Sequence, residues 1–392
     1  MFKIRSIIPS LLTEEQKLLQ ESFSNFVERE ITPNVNKWYF QDRQVDKNLY
    51  KKMGDQGFLC VWADPKYGGA GLGFMESWLL ANELYRRGCG SIEPYLHSDI
   101  IAPYFRNFGS QELNDRFMPD FVKGDKILAV AMTEPDYGSD VGSTCTSAVK
   151  DGDDYIVNGS KIFISNGIIA DVFLTLVRTD PDPALKHKGL SLLVIDATES
   201  SGVGRKKLEK IGGHFLDLAE ISFDNVRVPR KNLLGEEGRG FAYVMKGLQQ
   251  ERLLAASGWQ SFAEHALQEG IKYAKQRKVF GQSLSRFQNT EFKLAEVACR
   301  LVAGRSMIDN LVLAHCRGED VSFEVACAKM YTCDYVKEAV DVCLQVHGGY
   351  GYMTEFPIAR MCMDVRAASI SAGSSEVMKI IVSRELFTEP KA

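Results

Sequence analysis

The sequence predicts an α+β protein in which an N-terminal helical domain (1–126) and a C-terminal four-helix bundle (239–392) flank a middle β domain (127–238), a barrel or sandwich. Three observations carry this expectation. Apolar residues recur at helical spacing in the first third, as at Leu19, Phe23, Phe26 and Val27; after Lys126 the texture changes to short β-rich runs between Gly, Asp, Asn and Pro turns; past Pro229 the helical period returns and lasts to about Leu386. A chain of 392 residues also exceeds what one core usually organises, so two or three domains are expected.

The first helix should start at Thr13, which forms a capping box with Gln16, and Pro33 should end it. Further helices fit 47–58, 75–88 and 96–122, and strands fit 127–132, 155–158, 161–165, 172–177 and 190–195. The C-terminal segments, twenty to thirty residues long, suit an antiparallel bundle. Wedging a β domain between two helical ones creates a crevice of the kind where ligands bind.

Composition narrows the function. Hydrophobic residues at 45% and charged residues at 25% describe an ordinary globular protein. A net charge of -4 without a basic run argues against nucleic acid as a partner. The longest apolar runs are too short to span a bilayer, and the first residues lack a signal-peptide core, so a cytoplasmic protein is expected, or a mitochondrial matrix one if this is a mature eukaryotic chain. The nine cysteines are scattered singly and read as free thiols; the six histidines are dispersed, and no metal site is expected.

One residue points to chemistry. Val244, Leu248, Glu251, Ala255 and Phe262 are spaced to share one helix face, and Glu251 interrupts that apolar stripe with a carboxylate. Burial would raise its proton affinity and suit it to removing a proton from carbon near neutral pH. Taken alone, a solvated Glu251 paired with Arg252 is the commoner outcome. Its company favours the chemical reading.

That company is five motifs in order: Met132-Thr133-Glu134-Pro135-Asp136-Tyr137-Gly138-Ser139-Asp140; Asn158-Gly159-Ser160-Lys161-Ile162-Phe163-Ile164-Ser165-Asn166-Gly167; Arg277-Lys278-Val279-Phe280-Gly281 through Gln288; Gln345-Val346-His347-Gly348-Gly349-Tyr350-Gly351-Tyr352; and Ala372-Gly373-Ser374-Ser375-Glu376. Over essentially the whole chain they resemble the acyl-CoA dehydrogenase family of flavoenzymes, most closely its long-chain branch. The resemblance implies FAD. Val130, Met132, Thr133, Gly138 and Ser139 would line the isoalloxazine, with Ser139 also touching the acyl-CoA, and Phe163, Ile164 and Ser165 would shield one flavin face. Many members carry Trp at the position of Phe163; Phe still offers a flat apolar cover. Arg277, Phe280 and Gln288, the run Gln345, Val346, His347, Gly348 and Gly349, and Ser374, Ser375 and Glu376 would contact FAD, partly that of a neighbouring subunit, which implies a homotetramer built as a dimer of dimers. Bare glycine backbone suits a pyrophosphate, although a Gly pair is commonly just a helix C-cap.

Most members place their catalytic Glu before a Gly-Thr or Gly-Ser pair near the C-terminus, where this chain has Ala372. A minority, the long-chain and isovaleryl-CoA dehydrogenases, place it in a motif ending Glu-Arg, which Glu251-Arg252 matches. Two carboxylates aimed at one carbon would repel, so one arrangement excludes the other. The resemblance therefore implies that Glu251 takes the α-proton of an acyl-CoA thioester while the β-hydrogen leaves as hydride to the flavin, giving the trans-2-enoyl-CoA, with medium to long chains in fatty acid β-oxidation as the expected substrates. The thioester carbonyl would be held by a ribityl hydroxyl and the N–H of Ala372; Gln249, Gln250, Arg252, Ala372 and Gly373 would bind substrate, His187 or Lys188 would meet a CoA phosphate, and an electron-transferring flavoprotein would accept the electrons. A branched-chain dehydrogenase, an acyl-CoA oxidase or flavin monooxygenase on the same scaffold, and a non-catalytic flavin- or acyl-CoA-binding protein are the alternatives.

Overall fold

The computed structural model describes residues 3–388. Helix α1 (Glu14–Phe26) begins at the expected capping box: Gln16 N donates to Thr13 Oγ1 at 3.2 Å, and Thr13 N donates to Gln16 Oε1 at 3.0 Å. Pro33 does not end the helical path. The backbone continues through a π turn (Val27–Ile31), a 3-10 turn (Thr32–Asn34) and a second π turn (Lys37–Asp42), stopping at left-handed Arg43. Proline near the start of a turn forfeits no hydrogen bond, so it redirects the chain instead of halting it.

Helices α2 (Asn48–Asp55) and α3 (Phe74–Arg86) follow. The single helix expected over 96–122 is three pieces: a π turn (Leu96–Ile101), α4 (Ala102–Phe108) and α5 (Gln111–Lys123). Gly109 is extended and the Ser110 hydroxyl caps α5 by accepting from Leu113 N at 3.2 Å. The apolar period runs straight through this stop-and-start pair, which is why periodicity alone misses it.

Strands β1 (Leu128–Ala131), β2 (Ser147–Asp151), β3 (Asp154–Ser165), β4 (Val172–Arg178), β5 (Leu190–Asp196), β6 (Val203–Lys207), β7 (Leu218–Pro229) and β8 (Leu233–Leu234) form one eight-stranded sheet of order β6-β7-β3-β2-β4-β5-β8, with β1 parallel to β4. The runs 155–158 and 161–165, expected as two strands, are one, because the Gly159-Ser160 pair is absorbed by a register shift against β7. One face of β4 and β5 packs on α4, α5 and the start of α6; the other, with Phe173, Val177, Leu193 and Ile195, meets Val157, Ile221 and Phe223. The sheet thus curls over its own core, and the helical domains close its outside.

Helix α6 (Gly240–Gln276) is followed by the hairpin β9 (Lys278–Val279) and β10 (Gln282–Ser283), then α7 (Gln288–Cys316), α8 (Ser322–His347), α9 (Pro357–Asp364) and α10 (Ser375–Phe387). At 37 residues α6 outruns the expected twenty to thirty. Its interior glycines do not break it: Cβ atoms at Gly247 and Gly258 would run into the rings of Tyr104 and Tyr85, and one at Gly270 would crowd Cys343, so each glycine is a point of close approach by a neighbouring side chain. The first half of α6 therefore packs on α4 and β5 and the second on α7 and α8, which makes it the beam joining all three regions. All nine cysteines are free, and among the described residues no helix is long and apolar enough to cross a membrane.

Candidate active site

The five residues of the α6 stripe do not all face the core. Val244 and Phe262 are buried, whereas Leu248, Glu251 and Ala255 between them keep some accessible surface. Glu251 sits deep in that strip. Burial pushes its carboxyl above the usual range, partly offset by Arg252 and Lys329. Opposite stands the loop before α10, where Ala372 and Gly373 are both left-handed (φ 54° and 85°). A Cβ on Gly373 would lie 3.8 Å from the Arg252 guanidinium, which places this loop against the Glu251-Arg252 turn.

Lys329 of α8 ties the loop down. Its ammonium donates to the carbonyls of Ala368 (3.2 Å), Ser371 (2.7 Å) and Gly373 (2.5 Å), and burial lowers its proton affinity. With the carbonyls so engaged, no acceptor among the described residues takes the N–H of Ala372 or Gly373. The Nε of Arg252 is likewise buried without a partner. An acid of raised proton affinity thus lies next in sequence to the arginine that abuts a loop with free N–H donors.

A second group forms at the end of β1. Val130 and Met132 pack against the cluster that holds Tyr104 and Val244, so this side of β1 faces α4 and α6. Lys161, buried in β3, donates to the Met132 carbonyl and to Glu134, each at 2.9 Å, and Ile162 N donates to the Thr133 carbonyl at 2.9 Å. These bonds bring Thr133 and the segment Phe163, Ile164, Ser165 together. The shift between Lys161 and Ile164 forces Phe163 to a left-handed φ of 58° and leaves its ring 60% exposed. A large apolar side chain held outward in a conformation that costs about 1–3 kcal/mol is a feature fixed by its surroundings. Gly138 and Ser139 lie exposed in the following loop.

A third group lies at the far end of α6. Arg277, its C-cap, shares a cleft of about 490 Å³ with Val346, His347, Gly348 and Gly349. Gly348 is the C-cap of α8, and around both glycines the space a Cβ would occupy is open. The cap and the bare-backbone readings of this pair therefore hold together. Phe280, in the hairpin turn, is 97% exposed; Gln288 opens α7, and Gln345 is exposed on α8. Within one chain the structure does not bring this group to the β1 group.

Other expected residues are engaged within the protein. Gln249 and Gln250 border a cleft of about 530 Å³, yet Gln249 bonds His315, Glu319, Val321 and Ser322, and Gln250 bonds the Asp99 carbonyl. Both shape a wall. The Ser374 hydroxyl caps α10, Ser375 donates to Asp334 at 3.0 Å, and Glu376 is exposed in the first turn. His187 and Lys188 are exposed, with the His187 ring 4.9 Å from Phe241.

Comparison with known proteins decides the family. The acyl-CoA dehydrogenase N-terminal, middle and C-terminal domain families match residues 13–125, 129–226 and 238–387. The chain is 36% identical over 379 residues to the long-chain specific acyl-CoA dehydrogenase, mitochondrial, of Sus scrofa, covering 97% of this chain and 88% of that one. The chain belongs to the acyl-CoA dehydrogenase family. The crystal structure of the acyl-CoA dehydrogenase from Geobacillus kaustophilus superposes with a TM-score of 0.94 at 42% identity, covering 96% of this chain and 99% of that one. An isobutyryl-CoA dehydrogenase, mitochondrial, of Dictyostelium discoideum is 33% identical over 96% of this chain and 90% of that one, so relatedness does not fix the acyl group.

Acyl-CoA dehydrogenases are oxidoreductases and FAD flavoproteins, and FAD is the cofactor of this chain. The residues fit it. The outward Phe163 ring and the Thr133 turn offer a flat heterocycle an apolar cover and polar backbone, while Arg277 beside open Gly348-Gly349 backbone offers a pyrophosphate a cation and unobstructed approach. Lys329 is the residue the sequence reading missed. Its signal was available: Val325, Lys329, Cys333 and Val336 repeat the pattern of a charge interrupting an apolar stripe that singled out Glu251.

Proposed function

We propose that this enzyme removes the α-proton of an acyl-CoA thioester with Glu251 while the β-hydrogen leaves with its electron pair, forming the trans-2-enoyl-CoA. The observation that carries the reading is the deep Glu251 carboxyl, its proton affinity raised by burial, beside the Arg252 that abuts a loop whose residue 372 is alanine. FAD, when bound, supplies the hydride acceptor. Glu251 receives the proton; its raised proton affinity brings it closer to the strength a carbon acid requires. The free N–H of Ala372 polarises the thioester carbonyl and stabilises enolate-like charge, a task that needs backbone and no particular side chain. Arg252, with its unpartnered Nε, orients the substrate on the CoA side, and Lys329 keeps the donor loop in position.

Within this reading, Val130, Met132, Thr133, Gly138, Ser139, Phe163, Ile164 and Ser165 hold the flavin ring, and the Arg277 and Gly348-Gly349 cleft takes the dinucleotide end of the FAD of a second subunit. The separation of the two groups within one chain supports that division and, with it, a homotetramer. The domains are 1–126, 127–238 and 239–392. Medium to long acyl chains of β-oxidation are the substrates and an electron-transferring flavoprotein the acceptor, in the cytoplasm or, for a mature eukaryotic chain, the mitochondrial matrix. The test is anaerobic bleaching of the flavin by straight and branched acyl-CoAs. Bleaching by at least one of them is expected; an enzyme that dithionite bleaches but no acyl-CoA does would overturn the assignment.

A further inference from the structure

The two residues before Glu251 are committed to an imidazole behind the helix. At about 100° per residue, Gln249 lies about 200° round α6 from Glu251, on its far side, where it borders a cleft with His315 of the last turn of α7. Its amide is fully used. Nε2 donates to His315 Nδ1 at 2.9 Å and to the Glu319 carbonyl at 3.1 Å, while Oε1 accepts from Val321 N at 3.1 Å and from the Ser322 hydroxyl at 2.9 Å. Gln250 donates through Nε2 to the Asp99 carbonyl in the π turn, and its Oε1 meets His315 Nε2 at 3.3 Å. The imidazole also stands edge-on to Phe74 at the start of α3, ring centres 4.3 Å apart.

These contacts allow one protonation state. A carbonyl only accepts and a backbone N–H only donates, so Glu319 and Val321 fix which end of the Gln249 amide faces the imidazole, and Asp99 does the same for Gln250. His315 therefore meets a donor at Nδ1 and an acceptor at Nε2: Nδ1 is bare and Nε2 carries the hydrogen. A second proton would set an Nδ1–H against the Gln249 N–H, and turning that amide over would forfeit its bonds to Glu319, Val321 and Ser322. Burial opposes the second proton as well. The charged groups around the ring are occupied elsewhere. Glu319 pairs with Arg317 at 2.5 Å, and Asp320 accepts from Ser322 N at 3.1 Å. Glu76 of α3, whose charge reaches Cys316, accepts from Gln16 at 2.8 Å and Gly73 N at 2.9 Å. Burial pushes the Asp99 carboxyl up to about 7, and Lys246, in the same cleft wall, is a like charge. Among the described residues no carboxylate pairs with the imidazole.

We infer that neutral His315 is a positioning residue for the turn of α6 that carries Glu251: through Gln249 and Gln250 it fastens that turn from behind to the α7–α8 turn and the π turn, and a second proton on the ring releases it. This rests on Glu251 being the base, as above. The consequence is a second proton on the acid side of the pH profile, since Glu251 stops accepting when it is itself protonated and is misplaced when His315 is. Small movements suffice, because a shift of about 1 Å in a reacting group can cost about a hundredfold.

The test compares the holoenzyme with His315→Asn, which keeps an acceptor toward Gln249 and cannot take the second proton, and with His315→Leu, which leaves both glutamines without the ring. Plotted against pH, log kcat/KM of the wild type should approach a slope of two on the acid side, and both variants a slope of one. At neutral pH His315→Leu should lower kcat about tenfold to a hundredfold with KM within about threefold, and His315→Asn should lose less. Independently of turnover, nitrogen NMR of enzyme grown on labelled histidine, with the His315 signal identified by its loss in His315→Asn, should show a bare Nδ1 and a protonated Nε2 at neutral pH. A protonated Nδ1, a wild-type slope of one, or an unchanged kcat in His315→Leu overturns the proposal, and the NMR measurement does so even if His315→Leu fails to fold. A wild type whose flavin no acyl-CoA bleaches overturns the dehydrogenation reading instead, and the role of His315 with it.

Discussion

Replacing Glu251 by Gln separates chemistry from folding more cleanly than any other change in this molecule. The substitution preserves shape and removes only the proton-accepting oxygen. General-base contributions run from about a hundredfold to ten-thousandfold, and the loop before α10 offers no replacement, because residue 372 is alanine. Turnover with a dye acceptor should therefore fall at least about a hundredfold, while the protein stays yellow, since the β1 and β3 groups proposed to hold the flavin are untouched. Stability should move the other way. The folded-state proton affinity of Glu251 is raised, so the folded protein binds more protons than the unfolded chain between the unfolded value of about 4.3 and the raised folded one, and stability falls as pH rises through that interval. Above it the ionised carboxylate costs stability that Gln does not, so thermal melts at pH 8 should show the variant at least as stable as wild type. Turnover within tenfold of wild type, or loss of the flavin, would refute the reasoning.

Moving the base tests whether α6 and the 371–373 loop serve one carbon: Glu251→Gly with Ala372→Glu should recover part of the rate lost in Glu251→Gly alone, read by flavin bleaching, even though glycine in the helix costs about 1 kcal/mol. Lys329→Met removes a charge that lowers the proton affinity of Glu251, so the acid limb of the kcat/KM profile should move to higher pH; an unmoved limb would detach Lys329 from the base. Lys161→Met leaves Glu134 buried opposite an apolar side chain, and breaking a buried pair this way costs about 3–5 kcal/mol. Denaturant melts should register that loss, together with weaker flavin retention because the Met132 carbonyl loses its donor.

Local rules read from the sequence went as far as local physics reaches. The Thr13-Gln16 box is a three-residue event and stands where expected, whereas the 96–122 region required weighing a Gly-Ser pair against an unbroken apolar period, and the period won wrongly. Glu251 was legible because a charge on an apolar stripe is visible without coordinates. Lys329 carried the same mark, but its meaning lies in three loop carbonyls some forty residues away, a tertiary fact.

On the proposed assignment of Glu251 as the base, the loop before α10 explains how the base can leave it without disabling the site. Left-handed φ at both Ala372 and Gly373 turns successive peptide units so that Lys329 collects carbonyls on one side and N–H groups are left free on the other. None of those contacts involves the side chain at 372. The donor function is therefore set by backbone and by a lysine on another helix, and the proton acceptor can be supplied from either side of the substrate. A chain that places it on α6 gains a mounting more rigid than a loop, since Glu251 is fixed by a helix packed against α4, α7, α8 and the β sheet at once.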